Sequence, residues 1–277
     1  MIKLPNVTIS QSVLDKLKGY QDEIDQKATF AEKSARAKSS FPTKNKKGAK
    51  TFDTVKESLT EMCSGARRCV YCEDSVGDQV EHIRPKDFFP EACFVWENYV
   101  YACGNCNAPK NNKFALFRDD NGGFYEVNLH PGVAPPKGQD AMINPRREDP
   151  TDYFILNLGN GIPKERCRFV VIPGLSQPAK KKAEFTLTLL NLNAREFLRQ
   201  AREEAYEDYK ARLEKYNNEK KGANRQSNLN NMVDGIKRKQ HPTVWKEMQR
   251  YYRENWLTAI DEELHQLFAE SPEALAW

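Results

Sequence analysis

Apolar positions first recur at helical spacing over residues 12–27, where Val13, Leu14, Leu17, Tyr20 and Ile24 stand among Lys and Asp. That period predicts an amphipathic helix. The pattern lapses over residues 31–50, where Lys33, Arg36, Lys38, Lys44, Lys46, Lys47 and Lys50 sit among Ser, Ala, Pro and Gly with Glu32 as the single acid. A flexible basic arm or loop is expected there, either solvated or in contact with phosphate. Phe52, Val55, Leu59 and Met62 restore the helical step, and Gly65 suits its end. Residues 78–84 predict a short strand closed by Pro85, and the Pro- and Gly-rich residues 130–150 predict an irregular crossing. Tyr153-Phe154-Ile155-Leu156 and Arg168-Phe169-Val170-Val171-Ile172 read as two strands of a hairpin around Gly159-Asn160-Gly161. Helices are expected over 179–190 and from 194 to about 216 with Asn193 as N-cap, followed by a polar linker over 217–231. A last helical segment, 243–268, carries Trp245, Met248, Tyr252, Trp256, Ile260, Leu264 and Phe268 at steps of three and four. Such a stripe is either core or a docking face for a partner.

These elements describe a mainly helical α+β chain. Four segments are expected: N-terminal helices with a basic linker (1–65), a small cysteine-stapled core (66–118), a scaffold with a hairpin and helices (119–216), and a polar linker with a C-terminal amphipathic helix (217–277). The 277 residues carry 43 Lys and Arg against 39 Asp and Glu, a formal net charge of +4 that is only mildly basic. No run reaches the roughly 18 apolar residues that span a bilayer, and the N-terminus does not open a signal peptide, so a cytoplasmic protein is expected.

In a reducing compartment seven cysteines are not a disulfide framework. Cys69/Cys72 and Cys103/Cys106 form two Cys-x-x-Cys pairs about thirty residues apart, which predicts a closed tetrahedral zinc site with no open position for water. That zinc is structural, because so short a stretch buries little apolar surface and gains on the order of 10 kcal/mol from the metal. Cys63, Cys93 and Cys167 are left as ordinary thiols. Between the pairs stands His82, whose imidazole, with an unperturbed pKa near 6.5, is suited to take a proton from water. Alone it would more often be structural than catalytic.

Its company changes the reading. Cys69-Val70-Tyr71-Cys72, Val80-Glu81-His82-Ile83-Arg84-Pro85-Lys86, Trp96-Glu97-Asn98-Tyr99 and Cys103-Gly104-Asn105-Cys106-Asn107-Ala108-Pro109-Lys110 together resemble the HNH endonuclease family in its zinc-containing ββα-metal form. The resemblance implies His82 as general base, Asn98 as the residue that fixes the loop and base geometry, and Glu81 and Asn107 as ligands of a catalytic divalent ion. The chain departs from the commoner pattern in having Glu for Asp at 81 and Asn for His at 107. Carboxylate and amide oxygens favour Mg2+ or Mn2+ over Zn2+. Adjacent side chains on a regular strand point to opposite faces, so Glu81 and His82 converge only if the strand ends or twists there. Arg84, Lys86, Lys110 and Lys113 are candidates for phosphate contact, against the plain alternative of solvated surface charge.

Further motifs, Ile143-Asn144-Pro145-Arg146-Arg147-Glu148-Asp149-Pro150, Gly161-Ile162-Pro163 and Leu189-Leu190-Asn191-Leu192-Asn193 before a helix with Arg195 and Arg202, resemble the HNH nucleases of bacterial antiphage systems. These are the PtuB type of Septu and the HNH effectors of Septu-like retrons, and the match runs over about residues 55–215. The resemblance implies DNA cleavage beside an ABC-type ATPase of the PtuA kind, with a retron reverse transcriptase and its nucleic acid as further partners in retron systems. No Gly-x-x-x-x-Gly-Lys-Ser/Thr occurs here, so ATP handling would belong to another subunit. An RNA- or tRNA-cutting toxin uses the same phosphate chemistry, and a zinc-dependent binding module without catalysis is the reading from a different class.

Overall fold

Thr29 opens a helix in the stretch where the apolar pattern lapses. Its hydroxyl accepts from the Glu32 amide while the Glu32 carboxylate accepts from the Thr29 amide, a reciprocal capping box. The computed structural model describes residues 1–130, 132–159, 166–222 and 226–277, and in it residues 31–50 are not an open basic arm. Helices α1 (Gln11–Asp25), α2 (Phe30–Lys44) and α3 (Lys50–Glu61) form an N-terminal layer. The α2 face escapes a hydropathy reading because its buried positions are Ser34, Ala37, Ser40 and Phe41, only one of them large. Its cations point outward, with Arg36 2.5 Å and Lys44 3.6 Å from Glu23 of α1. Thr29→Ala is expected to cost about 1 kcal/mol in chemical denaturation.

The N-terminal layer covers one face of a hairpin, β1 (Gln79–His82) with β2 (Tyr99–Ala102), in which Glu81 faces Val100 and His82 faces Tyr99. Leu17, Phe41, Phe52, Val55 and Leu59 bury with Val80, Phe94, Tyr99 and Tyr101 between the two. Helix α4 (Gly104–Lys110) follows β2 directly. A three-stranded antiparallel sheet comes next, with β3 (Ala115–Arg118) between β4 (Phe124–Glu126) and β5 (Gly138–Asp140). Strand β5 lies in the region expected to be irregular; a Cβ at Gly138 would stand 2.4 Å from the Phe117 carbonyl oxygen, so pairing this close requires glycine. Strands β6 (Phe154–Leu156) and β7 (Phe169–Val171) pair antiparallel as the sequence predicts, while Asn160 and Gly161-Ile162-Pro163 lie outside the described residues.

Helices α5 (Gln177–Leu189), α6 (Glu196–Lys221), α7 (Gln226–Lys237), α8 (Pro242–Arg253), α9 (Leu257–Ile260) and α10 (Glu262–Glu270) complete the chain. Three expectations change here. Asn193 does not cap α6; its amide clamps the Phe169 backbone, accepting from N at 2.8 Å and donating to O at 2.7 Å. The polar linker expected over 217–231 is largely helical, because Asn217 donates to the Leu267 carbonyl at 2.9 Å and Leu229 and Ile236 turn inward. The last segment is broken at Asn255, where φ is +58°, and at Asp261, which caps α10 through the Leu264 amide. Trp245, Met248, Leu264 and Phe268 of the aromatic stripe are core, whereas Trp256 and Ile260 are exposed. No helix among the described residues is long and apolar enough to cross a membrane.

Candidate functional site

Two backbone turns present the four cysteines. The Cys69 amide donates to the Ser75 carbonyl and the Glu73 amide returns to the Cys69 carbonyl, both at 2.8 Å, with Glu73 at φ +63°. Cys103 is the N-cap of α4 and Cys106 lies in its first turn. All four residues are buried, and their sulfurs lie within 4.8 Å of one another. The 3.8 Å between Cys72 and Cys103 Sγ is far beyond a disulfide bond, and it matches the edge of roughly 3.8 Å for a tetrahedron with Zn–S bonds of about 2.3 Å. The donor set therefore fits a structural zinc. Arg195 Nη2 donates to Cys106 Sγ at 3.3 Å, placing a cation where a tetrathiolate carries surplus negative charge.

His82 is the last residue of β1, and its ring is almost wholly enclosed. Phe41 of α2 lies edge-on at 4.3 Å between centroids and Tyr99 at 5.3 Å. Nε2 is 2.9 Å from the Cys93 carbonyl oxygen. A carbonyl only accepts, so Nε2 carries the proton and the lone pair of the neutral ring sits on Nδ1. Burial, assisted by the charges of Lys86 and Lys110, pushes the imidazole down to about 3. The unfolded chain therefore takes up a proton first, and this group lowers stability progressively as pH falls from about 6.5 to about 3. Phe41→Ala is expected to cost about 3–5 kcal/mol and to return the His82 pKa towards 6.5, read by NMR titration of the ring.

Asn98 fastens the loop that holds this ring. Its Oδ1 accepts from the Arg84 amide at 2.8 Å, and its Nδ2 donates to the Arg84 carbonyl at 3.0 Å and the Ala92 carbonyl at 2.9 Å. One side chain thus ties the exit of β1 to the residue before Cys93. The Tyr99 hydroxyl also donates to the Cys93 carbonyl, at 2.7 Å.

Glu81 and Asn107 lie on the other face of the hairpin. Glu81 Oε1 is 2.5 Å from Nζ of Lys110, a fully buried lysine that also donates to the His82 carbonyl at 2.8 Å. Burial pushes the Glu81 carboxyl up while Lys110 pulls it back. Asn107 Nδ2 donates to Gln79 Oε1 at 2.8 Å, which leaves its carbonyl oxygen to a ligand. Gln79 and Glu81 therefore face α4, whereas His82 faces Phe41 and α2. Asn98 and His82 meet at one loop, whereas Glu81 of β1 pairs with Lys110 of α4 and Asn107 of α4 pairs with Gln79 of β1, so the His82 ring is turned away from the acid and the amide. The Glu81 carboxylate is already paired with the buried Lys110 ammonium, so a divalent ion held by Glu81 and Asn107 would lie beside a cation. Lys110→Met is expected to cost about 3–5 kcal/mol in urea denaturation by stranding a buried carboxylate, with much of it recovered when Glu81→Gln is added.

The other candidate cations divide. Lys110 is corrected from a surface phosphate contact to a buried ion-pair partner, since no phosphate reaches an enclosed ammonium. Arg84 is held by Asp140 at 2.6 Å and lies 5.1 Å over the Phe89 ring. Lys86 is half-buried, 3.7 Å from Asp87, and Lys113 is exposed. Burial pushes Cys63 and Cys93 up to about 12 and Cys167 up to about 11, which keeps these three in the thiol form at neutral pH. Sequence reasoning missed the Cys93 carbonyl, Phe41 and Lys110 as supports of the site. Lys110, three residues after Asn107 and so on the same face of α4, carried the one usable signal.

No family model matches the chain, and no solved structure matches it. The Septu protein PtuB of Bacillus thuringiensis is 36% identical over 95 residues, which cover 32% of this chain and 33% of that protein. The similarity is distant and partial, and the aligned part spans about a third of the relative's length.

Proposed function

We propose that this chain is a metal-dependent endonuclease of the HNH type that hydrolyses DNA phosphodiester bonds as the nuclease of an antiphage system. The observation that carries the reading is the His82 ring with its Nε2 proton given to the Cys93 carbonyl, in a loop that Asn98 pins beside a four-cysteine cage. The partial similarity to a Septu protein supports the defence setting and an ABC-type ATPase partner of the PtuA kind. In this reading Nδ1 of His82 takes a proton from a water molecule, whose oxygen attacks phosphorus as the P–O3′ bond breaks. The Cys93 carbonyl holds the ring and steadies the imidazolium that forms. A substrate phosphate beside the ring raises its pKa from the depressed value by favouring the charged form. Glu81 and Asn107 would hold the Mg2+ or Mn2+, which would supply charge stabilisation at the phosphate when bound; because these two face α4 while His82 faces α2, base and ion would reach one phosphate only around the end of β1, whose last residue is His82. Lys110 fixes the Glu81 carboxylate in the same place.

Incubating the purified protein with plasmid, single-stranded DNA and total RNA in Mg2+ or Mn2+ tests this. DNA should shorten. Shortening of RNA alone would favour the toxin reading, and no shortening of any polymer a non-catalytic module. A P-loop ATPase recovered with the protein from its own host is the expected partner.

A further inference from the structure

Gln21 stands where the apolar stripe of α1 calls for a hydrocarbon. It is buried with Val13, Leu17 and Ile24 on the inner face of that helix, and the others are aliphatic. An amide enclosed in this way loses water at both ends and costs stability unless each end finds a partner. Gln21 finds both partners on the loop that carries Cys93. Its Nε2 donates to the Pro90 carbonyl at 2.9 Å, with the Asp25 carboxylate also within reach at 3.1 Å, and its Oε1 accepts from the Phe94 amide at 2.9 Å.

The Phe94 amide and the Cys93 carbonyl belong to one planar peptide unit, so fixing the N–H fixes the direction of the C=O. That carbonyl oxygen stands 2.9 Å from Nε2 of His82 and accepts from the Tyr99 hydroxyl at 2.7 Å, which uses both of its lone pairs. One peptide unit thus meets Gln21 through its hydrogen, and His82 and Tyr99 through its oxygen. Hydrogen bonds in series polarise one another, so the bond that Gln21 accepts makes the Cys93 carbonyl a stronger acceptor for the ring proton. Other ties to the loop fall elsewhere along it. Ser34 of α2 donates to the Asp87 carbonyl at 2.7 Å, and Asn98 reaches the Ala92 carbonyl, one residue earlier. An apolar side chain of the same length would fill the place of Gln21 but would leave the Phe94 N–H and the Pro90 carbonyl without these bonds.

We infer that Gln21 is a positioning residue for the His82 ring: through the Cys93–Phe94 peptide it holds the ring proton on Nε2 and keeps the lone pair on Nδ1. The inference rests on the nuclease reading for what the ring does, and on the hydrogen bonds alone for how the ring is held. It makes α1, which lies outside the cysteine-stapled segment, a working part of the site. The test is Gln21→Met, which keeps the length of the side chain and removes donor and acceptor together. NMR of the whole zinc-loaded chain with 15N-labelled histidine reads the Nε2 proton of His82, assigned by its loss in His82→Ala. In the native protein this proton should give a single downfield resonance. In Gln21→Met it should move upfield and exchange with water about three- to tenfold faster, the change that one weakened hydrogen bond makes. With native zinc content and dichroism, the variant should lose about ten- to a hundredfold in kcat on DNA at unchanged KM. Gln21→Asn, one methylene too short to span Pro90 and Phe94, serves the same reading should Gln21→Met not fold. An unshifted proton with native exchange in a folded variant would overturn the assignment. The shifted proton in a chain whose native form cuts no DNA would keep Gln21 as the residue that sets the ring and remove the nuclease reading; an unshifted proton in a variant that cuts DNA at the native rate would do the reverse.

Discussion

His82→Ala is expected to lower DNA cleavage by about 10²–10⁴-fold, the range that a positioned general base contributes. The reason is local. His82 is the group whose tautomer the fold fixes, with Nε2 donating to the Cys93 carbonyl, and removing it takes away the proposed proton acceptor while leaving Asn98, the hairpin and the four cysteines in place. The ring is buried against Phe41 and Tyr99, so the variant also loses packing, and a fold check belongs to the experiment. Zinc content and the far-ultraviolet dichroism of the variant should match the native protein. Loss of zinc with loss of activity would be a structural effect instead.

Cys69→Ser, or removal of zinc with a strong chelator, is expected to unfold the hairpin and α4 and to reach well beyond them. The metal supplies on the order of 10 kcal/mol at such a site, comparable with the whole stability of a domain. Four buried thiols that lose their cation are left without compensation, and burial alone already pushes the Cys69 thiol up. Cys69, Tyr71 and Cys72 share one contiguous core with Tyr206, Tyr209, Trp245 and Phe268, so the C-terminal helices should loosen together with the knuckle. Thermal melting before and after chelation, followed by re-addition of zinc, reads the effect; an unchanged melting temperature would show that the cysteines hold nothing.

Spacing made the cage legible, because metal ligands must repeat at fixed intervals whatever surrounds them. Strand β1, the strands β6 and β7 and the core positions Trp245, Met248, Leu264 and Phe268 were legible in local pattern, whereas β2 and its pairing with β1 were only implied by the ββα-metal resemblance. Helix α2 was not legible, since a face built of Ser34, Ala37, Ser40 and Phe41 has the burial of a core helix without its hydropathy. Helix α7 was hidden by its asparagines for a similar reason: Leu229 and Ile236 alone mark its inner side. The buried pairing of Glu81 with Lys110 depends on a tertiary approach that no local pattern announces. The same is true of the Cys93 carbonyl, because backbone acceptors leave no trace in residue type.

The central claim is that the His82 imidazole itself takes the proton, and rescue by free imidazole tests it most directly. In His82→Gly the space between Phe41 and Tyr99 is opened to a ring of the same size. DNA cleavage by zinc-loaded His82→Gly should be near background without additive and rise in proportion to added imidazole, with no such rise in Asn98→Ala. Cleavage by His82→Gly at the native rate without imidazole would contradict the account.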